Sequence, residues 1–425
     1  MSARDFRVVV SEWLTNPPPP ALARDVDLPT DPKVVICVVG PRRAGKTSLL
    51  YRTIAKVEDA GVPRQNILYV DFEHPALTGV AARDLEEMLK AFHELSRPDP
   101  RFPLYLFLDE IQKVKDYGKW FRRRLDARYY ISGSTSRLTS KSVADELRGR
   151  SVDHMVLPLS FGEYLRFTGV EAADLEALRY SEKRGAVLSS LREFLRLGGY
   201  PAVALERDER ERVRLLRAYF DSVVVRDLAA PDASLAQAVG RFIVSNYAGM
   251  LSVNRVHDYV KSLGFKVGKE KVTAVLRKGE ESFAFFQVEL FVRSERRRKS
   301  NVRKVYLVDT GYPAALGYDF SIGRAMENAV LLELRRRGAE VYYWKEYGKS
   351  DGAEVDFVVS KNFEALELMQ VTFAEGPPTG RELGGLEKAA AELRPPKKTV
   401  VTWDYSATEG EVEFVPLWYW LLKKS

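Results

Sequence analysis

A single cysteine in 425 residues, Cys37, has nothing to pair with, so neither an internal disulfide nor a cysteine-rich zinc site can form. It falls within the apolar run VVICVV (34–39) and reads as a small buried side chain. The four histidines, His74, His93, His154 and His257, are scattered without ligand spacing, which argues against a zinc enzyme. No apolar run approaches the ~18 residues of a membrane span. The closing LWYWLLKK (417–424) is too short and is expected to be a helix packed on the last domain. The opening Met1-Ser2-Ala3-Arg4-Asp5 has no signal-peptide core. A cytoplasmic location and no membrane partner are therefore expected.

What is present is an ordinary globular composition, 45% apolar and 29% charged, on a chain too long for one core. The net charge of +7 is modest but uneven. Between Arg241 and Lys304 there are 15 Lys and Arg against 6 Asp and Glu, a local excess of nine that is larger than that of the whole chain. Such a window points to a polyanion partner. A solvated, arginine-rich surface is the plainer alternative.

Residues 1–33 read as an N-terminal extension, with Asn16-Pro17-Pro18-Pro19-Pro20 as a stiff spacer. Residues 34–158 alternate short buried strands (34–39, 67–72, 104–110 and 128–134) with helical stretches, the pattern of an α/β fold built on a parallel sheet. Residues 159–232 are helix after helix, broken at Gly198-Gly199-Tyr200-Pro201. Residues 233–320 give helices and then two strands, and 321–425 form a further α/β unit.

GPRRAGKTS (40–48) follows a strand and opens a helix, as a phosphate-binding P-loop requires. Gly40 and Gly45 let backbone N–H groups, through Arg43, Ala44 and Ser48, wrap the phosphates of ATP, and the helix N-terminus faces them. Lys46 reaches the terminal phosphates, and the Thr47 hydroxyl is a Mg²⁺ ligand. LYLFLDE (104–110) then carries Asp109 to a strand end, where it can hold the Mg²⁺ shell, with Glu110 to polarise the attacking water. Ser134 or Thr135 after the next strand either senses the γ-phosphate or caps the following helix. In LRGR (147–150), Arg148 or Arg150, the latter first, either reaches a neighbouring subunit's γ-phosphate or neutralises a helix end.

GPRRAGKTS, LFLDEIQ, YYISGSTSRL, LRGR, LPLSFGEYL and GGYPAV occur in one order along the first half of the chain. Together they resemble the archaeal and bacterial AAA+-type ATPases that carry a helical lid, a winged helix and a restriction-endonuclease-like C-terminal domain of the DUF4143 type. The resemblance covers nearly the whole chain. It implies a ring-forming or switch-like ATPase and a homo-oligomer in which Arg150 acts in trans.

In the basic window, GKEKVTAVLRKGEE (268–281) places Val272, Val275 and Leu276 at helical spacing and Lys269, Lys271, Arg277 and Lys278 on the other face. Strands at 283–292 and 304–309 then flank SERRRKSNVR (294–303) as a basic wing with Arg296, Arg297, Arg298 and Lys299. Helix, turn, helix and wing is the winged-helix layout, read here as DNA-binding, with protein docking as its alternative.

In the last domain, Glu327 shares a helix stripe with Leu331 and Leu334, and Asp356 shares a strand face with Glu354. A nuclease of this type needs a helix acid, a strand aspartate and then Glu-x-Lys. The third element here is Gln370-Val371-Thr372, with a turn expected at Lys361-Asn362, and no frame supplies a cation. A nuclease-like domain with an impaired or absent cleavage centre is expected, Gln370 retaining an oxygen for a metal. The sequence thus points to a Mg²⁺-dependent ATPase acting on DNA. A protein-docking regulatory switch is the alternative, and an ATP-dependent endonuclease the third.

Overall fold

The computed structural model describes residues 3–121, 127–138, 150–172, 174–178, 183–228, 232–346, 352–377 and 380–423. Contacts divide the chain into a first unit, Met1–Val156, and a second, Leu157–Ser425 apart from Glu281–Phe283.

Five parallel strands form the sheet of the first unit: β1 (Val35–Val39), β2 (Ile67–Asp71), β3 (Tyr105–Asp109), β4 (Arg128–Gly133) and β5 (Ser151–Met155), in the order β2-β3-β4-β1-β5. β1 is buried throughout, and Cys37 lies fully inside it, its thiol pushed up to about 12 by burial. β5 escaped the sequence pattern because it is an edge strand, SVDHM, with no fully buried residue and its valine exposed. The expected lead-in is more than a spacer. Helix α1 (Ala3–Thr15) buries Phe6, Val10 and Trp13, and the Trp13 indole donates to Ile67 O at 2.6 Å.

The second unit opens with helices, among them Phe161–Thr168, Lys183–Leu197 and Glu209–Val223. Next come helices Ala233–Ser245, Val253–Ser262 and Lys269–Glu281, with a three-stranded antiparallel sheet of β6 (Gly249–Leu251), β7 (Phe285–Val288) and β8 (Arg303–Leu307) in the order β6-β8-β7. Two expectations change here. β7 is four residues long, not ten, and 295–300 between β7 and β8 is a short helix instead of an open wing, capped by Ser294 accepting from Arg297 N.

A six-stranded mixed sheet closes the chain: β9 (Glu340–Lys345), β10 (Glu354–Lys361), β11 (Glu364–Val371), β12 (Lys397–Thr402), β13 (Ala407–Glu409) and β14 (Val412–Pro416), in the order β13-β14-β12-β11-β10-β9. Val358, Leu368, Val400 and Phe414 form its core. The β10–β11 turn is Asn362-Phe363, one residue later than expected, and both residues have positive φ (53° and 60°), as a two-residue hairpin needs. LWYWLL (417–422) is a helix with Trp418 and Leu421 buried. Among the described residues, no helix is long and apolar enough to cross a membrane.

Candidate functional site

β1 delivers the loop Gly40–Gly45 to the first turn of helix α2 (Lys46–Asp59). Gly45 has φ 98°, a conformation that side chains avoid. A Cβ on Gly40 would collide with the Val156 carbonyl, so the loop can pass beside β5 only as glycine. Arg43 also has positive φ, and its exposed side chain contrasts with buried Ala44. The Ala44 carbonyl accepts from Arg24 Nη1 at 2.7 Å, so a buried arginine of the lead-in braces the loop.

Lys46 is buried, and burial pulls its ammonium below its ordinary value against the opposing pull of Glu110 and Asp109. Its Nζ donates to Gly40 O at 3.1 Å and Pro41 O at 3.0 Å and lies 3.6 Å from Glu110 Oε1. Thr47 donates to Asp109 Oδ2 at 2.6 Å. The same oxygen takes the Tyr69 hydroxyl at 2.9 Å, and Asp109 Oδ1 takes Ser132 Oγ. Glu110 has φ 53°, a strained conformation for a side chain, and is held there by its surroundings. Ser134 Oγ donates to Glu110 Oε2 at 3.1 Å, and Gln112 Nε2 donates to the same oxygen. Ser48, on the exposed side of the first turn of α2, completes the loop.

Lys46, Thr47, Asp109, Glu110 and Ser134 are thus brought together at the carboxyl ends of β1, β3 and β4. Tyr69, Ser132 and Arg24 were missed, because only strand adjacency or chain reversal puts them there; Gln112, two residues after Glu110, was legible from its place in LFLDEIQ. Arg150 is exposed and not beside this loop. Its carbonyl accepts from Val35 N at 2.9 Å, at the opposite end of β1 and about 16 Å away along the strand. Arg148 lies outside the described residues.

This geometry agrees with what the chain resembles. Residues 32–165 match an AAA domain family and residues 322–420 a domain of unknown function, DUF4143, with another such domain, DUF8612, matched over 188–321. These matches give the chain an AAA-type ATPase domain in its first part and a DUF4143 domain at its end. Similar proteins include the uncharacterized protein MJ1544 of Methanocaldococcus jannaschii, 28% identical over 94% of this chain and 90% of the relative. Another is an uncharacterized protein of Haemophilus influenzae, 28% identical over 92% and 95%. Among solved structures, AMPPCP-bound DnaA from Aquifex aeolicus matches 64% of this chain and 86% of its own at 14% identity and a TM-score of 0.24. PCH-2 of C. elegans matches 65% and 67% at 11% identity and a TM-score of 0.22. At such scores the ATPase-type assignment stands on the AAA-domain match and on the chain's own sheet and loop.

A second polar cluster lies in the second unit, where a cation from outside the Gln370-Val371-Thr372 motif, Lys304 of β8, meets the acids. Lys304 Nζ lies 2.7 Å from Glu327 Oε1, 2.9 Å from Glu354 Oε1 and 3.0 Å from Asp356 Oδ1. Tyr306 donates to Glu327 Oε1 at 2.7 Å. Burial and the neighbouring Asp356 push the Glu327 carboxyl up to about 7. Burial works against the Lys304 charge, but Asp356 and Glu327 outweigh it and hold the ammonium well above its ordinary value. Gln370 turns its amide to Asp356: its Nε2 donates to Asp356 Oδ2 at 2.8 Å and its Oε1 accepts from Asp356 N at 3.4 Å. Thr372 lies beyond β11, its N–H bonded to Val401 O. Among the described residues, no group of three or more His, Cys, Asp and Glu is arranged to hold a metal ion.

On the basic helix, Lys269, Lys271 and Arg277 are exposed and Lys278 is half-buried, while Val272, Val275 and Leu276 are buried. Arg296 and Arg297 are exposed on the short helix before β8, and Lys299 pairs with Glu295 at 2.6 Å. Arg298 departs from its expected role. It pairs with Glu289 at 3.1 Å and lies 4.6 Å over the Phe363 ring, leaving its guanidinium committed within the protein.

Proposed function

We propose that this ATPase hydrolyses ATP with Mg²⁺ and couples the cycle to DNA through a winged helix formed by residues 233–320. The observation that carries this is the convergence of Thr47, Asp109, Glu110 and Ser134 at the mouth of a glycine-turned loop. The fit to Mg²⁺ is supported by the hydroxyl–carboxylate pair at 2.6 Å, a hard-oxygen donor set at the helix N-terminus. When bound there, Mg²⁺ would neutralise charge on the β- and γ-phosphates.

The chain's own residues do the rest. Loop amides and Lys46 bind phosphate oxygens, which requires the ammonium to leave the Gly40 and Pro41 carbonyls. Glu110 orients and deprotonates the attacking water, and Ser134, already bonded to Glu110, links that carboxylate to the γ-phosphate position. Arg150, at the far end of β1, acts in trans from a second copy. Lys269, Lys271 and Arg277 contact DNA phosphates, with Lys278, Arg296, Arg297 and Lys299 at the margin. The test is ATP turnover measured with no DNA, duplex, single-stranded and branched DNA. Stimulation by DNA is expected, and turnover indifferent to every DNA would remove it from the cycle.

A second reading, an ATP-driven switch docking a protein, is favoured by Arg298, whose ion pair and ring contact withdraw it from a DNA-facing wing.

A further inference from the structure

Strand β8 alternates its side chains, so Lys304 and Tyr306 leave one face while Val305 and Leu307 leave the other. Lys304 is 2% exposed and Tyr306 fully buried. An ammonium that deep persists only where fixed negative charge replaces water. Glu327 and Asp356 provide it from within the fold, and Glu354, 31% exposed, from its rim. The three ammonium hydrogens thus meet three carboxylates.

These acids stand where a nuclease-like domain would gather a divalent ion, yet they converge on a nitrogen. Their oxygens lie 2.7–3.0 Å from it. That is ordinary spacing for an ammonium–carboxylate hydrogen bond and roughly 0.6–1.0 Å beyond a Mg²⁺–oxygen bond. Asp356 is fully engaged: Oδ1 takes Lys304, while Oδ2 takes Gln370 Nε2 at 2.8 Å and Val371 N at 2.9 Å.

We propose that Lys304 is the resident cation of this carboxylate cluster, a built-in substitute for a metal ion that clamps β8 to the helix Ile322–Arg336 and to β10. The clamp makes the C-terminal domain independent of divalent ions. It also turns a cleavage-type arrangement into a joint between the basic module and the last sheet. Three carboxylates around one ammonium present no net positive charge to a phosphate, so DNA is not held at this cluster. The clamp depends neither on ATP turnover nor on DNA.

The test uses the full-length chain without nucleotide, comparing wild type with Lys304→Met, which keeps the unbranched stem and removes the ammonium. Melting temperature and Mn²⁺ binding by electron paramagnetic resonance are read while Mn²⁺ is titrated. Weak binding at the P-loop is common to both proteins and cancels. Lys304→Met is expected to melt about 5 °C or more lower without metal, to bind Mn²⁺ at least ten-fold more tightly than wild type, and to regain stability as it binds. Adding Glu354→Gln should abolish that regain. If Lys304→Met does not fold without metal, Lys304→Met/Glu327→Gln, with one carboxylate fewer, should fold and show a smaller Mn²⁺ response. A wild-type response to Mn²⁺ that disappears in Glu354→Gln would overturn the proposal. So would a Lys304→Met protein as stable as wild type, or one destabilised but rescued by no divalent ion.

Discussion

Tyr69 donates its hydroxyl to Asp109 Oδ2 at 2.9 Å, the oxygen that also takes Thr47 Oγ1 at 2.6 Å. Neighbouring strands bring them together, since β2 and β3 run parallel with Asp71 beside Asp109. Asp109 therefore reaches the nucleotide site already oriented. Tyr69→Phe should lower ATP turnover by roughly three- to ten-fold with little change in ATP affinity, a loss on the scale of about one ordinary hydrogen bond. Steady-state kinetics check this, and an unchanged turnover number would make Tyr69 a packing residue only.

Glu110→Gln should retain ATP while turnover falls by about 10²-fold or more, because the amide cannot accept the water proton. Filter binding of labelled ATP together with phosphate release separates the two effects. Native turnover in this variant would remove Glu110 as the base.

If Arg150 works in trans, Arg150→Ala and Lys46→Ala proteins should each be nearly inactive alone. Mixed, they should regain activity at sites that pair an intact loop with an intact arginine. No recovery over a range of mixing ratios, with oligomer formation verified by light scattering, would assign Arg150 a role in its own subunit or none.

Lys269→Glu with Lys271→Glu should weaken duplex DNA binding and reduce the slope of log affinity against log salt by about two. Arg298→Glu should act differently, lowering thermal stability through the lost Glu289 pair and Phe363 contact. Fluorescence anisotropy across a salt series and melting curves distinguish these outcomes. An equal DNA-binding loss in all three substitutions, without destabilisation, would put Arg298 back on the interface.

Glu327 carries a pH signature. Its carboxyl rises from an ordinary 4.5 to about 7 in the folded chain. Between those values the folded state holds a proton that the unfolded state has released, so stability contributed by this group falls as pH rises from about 4.5 to 7 and is level beyond. Glu327→Gln should flatten that segment of the stability–pH curve, measured by urea denaturation. A slope identical to wild type would mean that another group titrates there.

The nucleotide loop was legible because its parts are contiguous. Glycine turns, Lys46 and Thr47 lie within nine residues, and the run before Asp109 announces a buried strand. The basic helix was legible for a related reason, since a 3.6-residue period fixes which side chains face inward. α1 was harder, because a helix followed by four prolines reads as a tail until Trp13 is seen bonded to Ile67.

Local order along the chain therefore determined the P-loop, the strand-borne acids Asp109 and Asp356, and the polarity of the helices. Tertiary structure alone decided what meets those groups: Tyr69 at Asp109, Arg24 at Ala44, and Lys304 among Glu327, Glu354 and Asp356. The reason is physical. A short-range motif is fixed by backbone geometry and periodicity. A buried charge finds its counter-charge wherever folding brings another strand, and 52 residues separate Lys304 from Asp356.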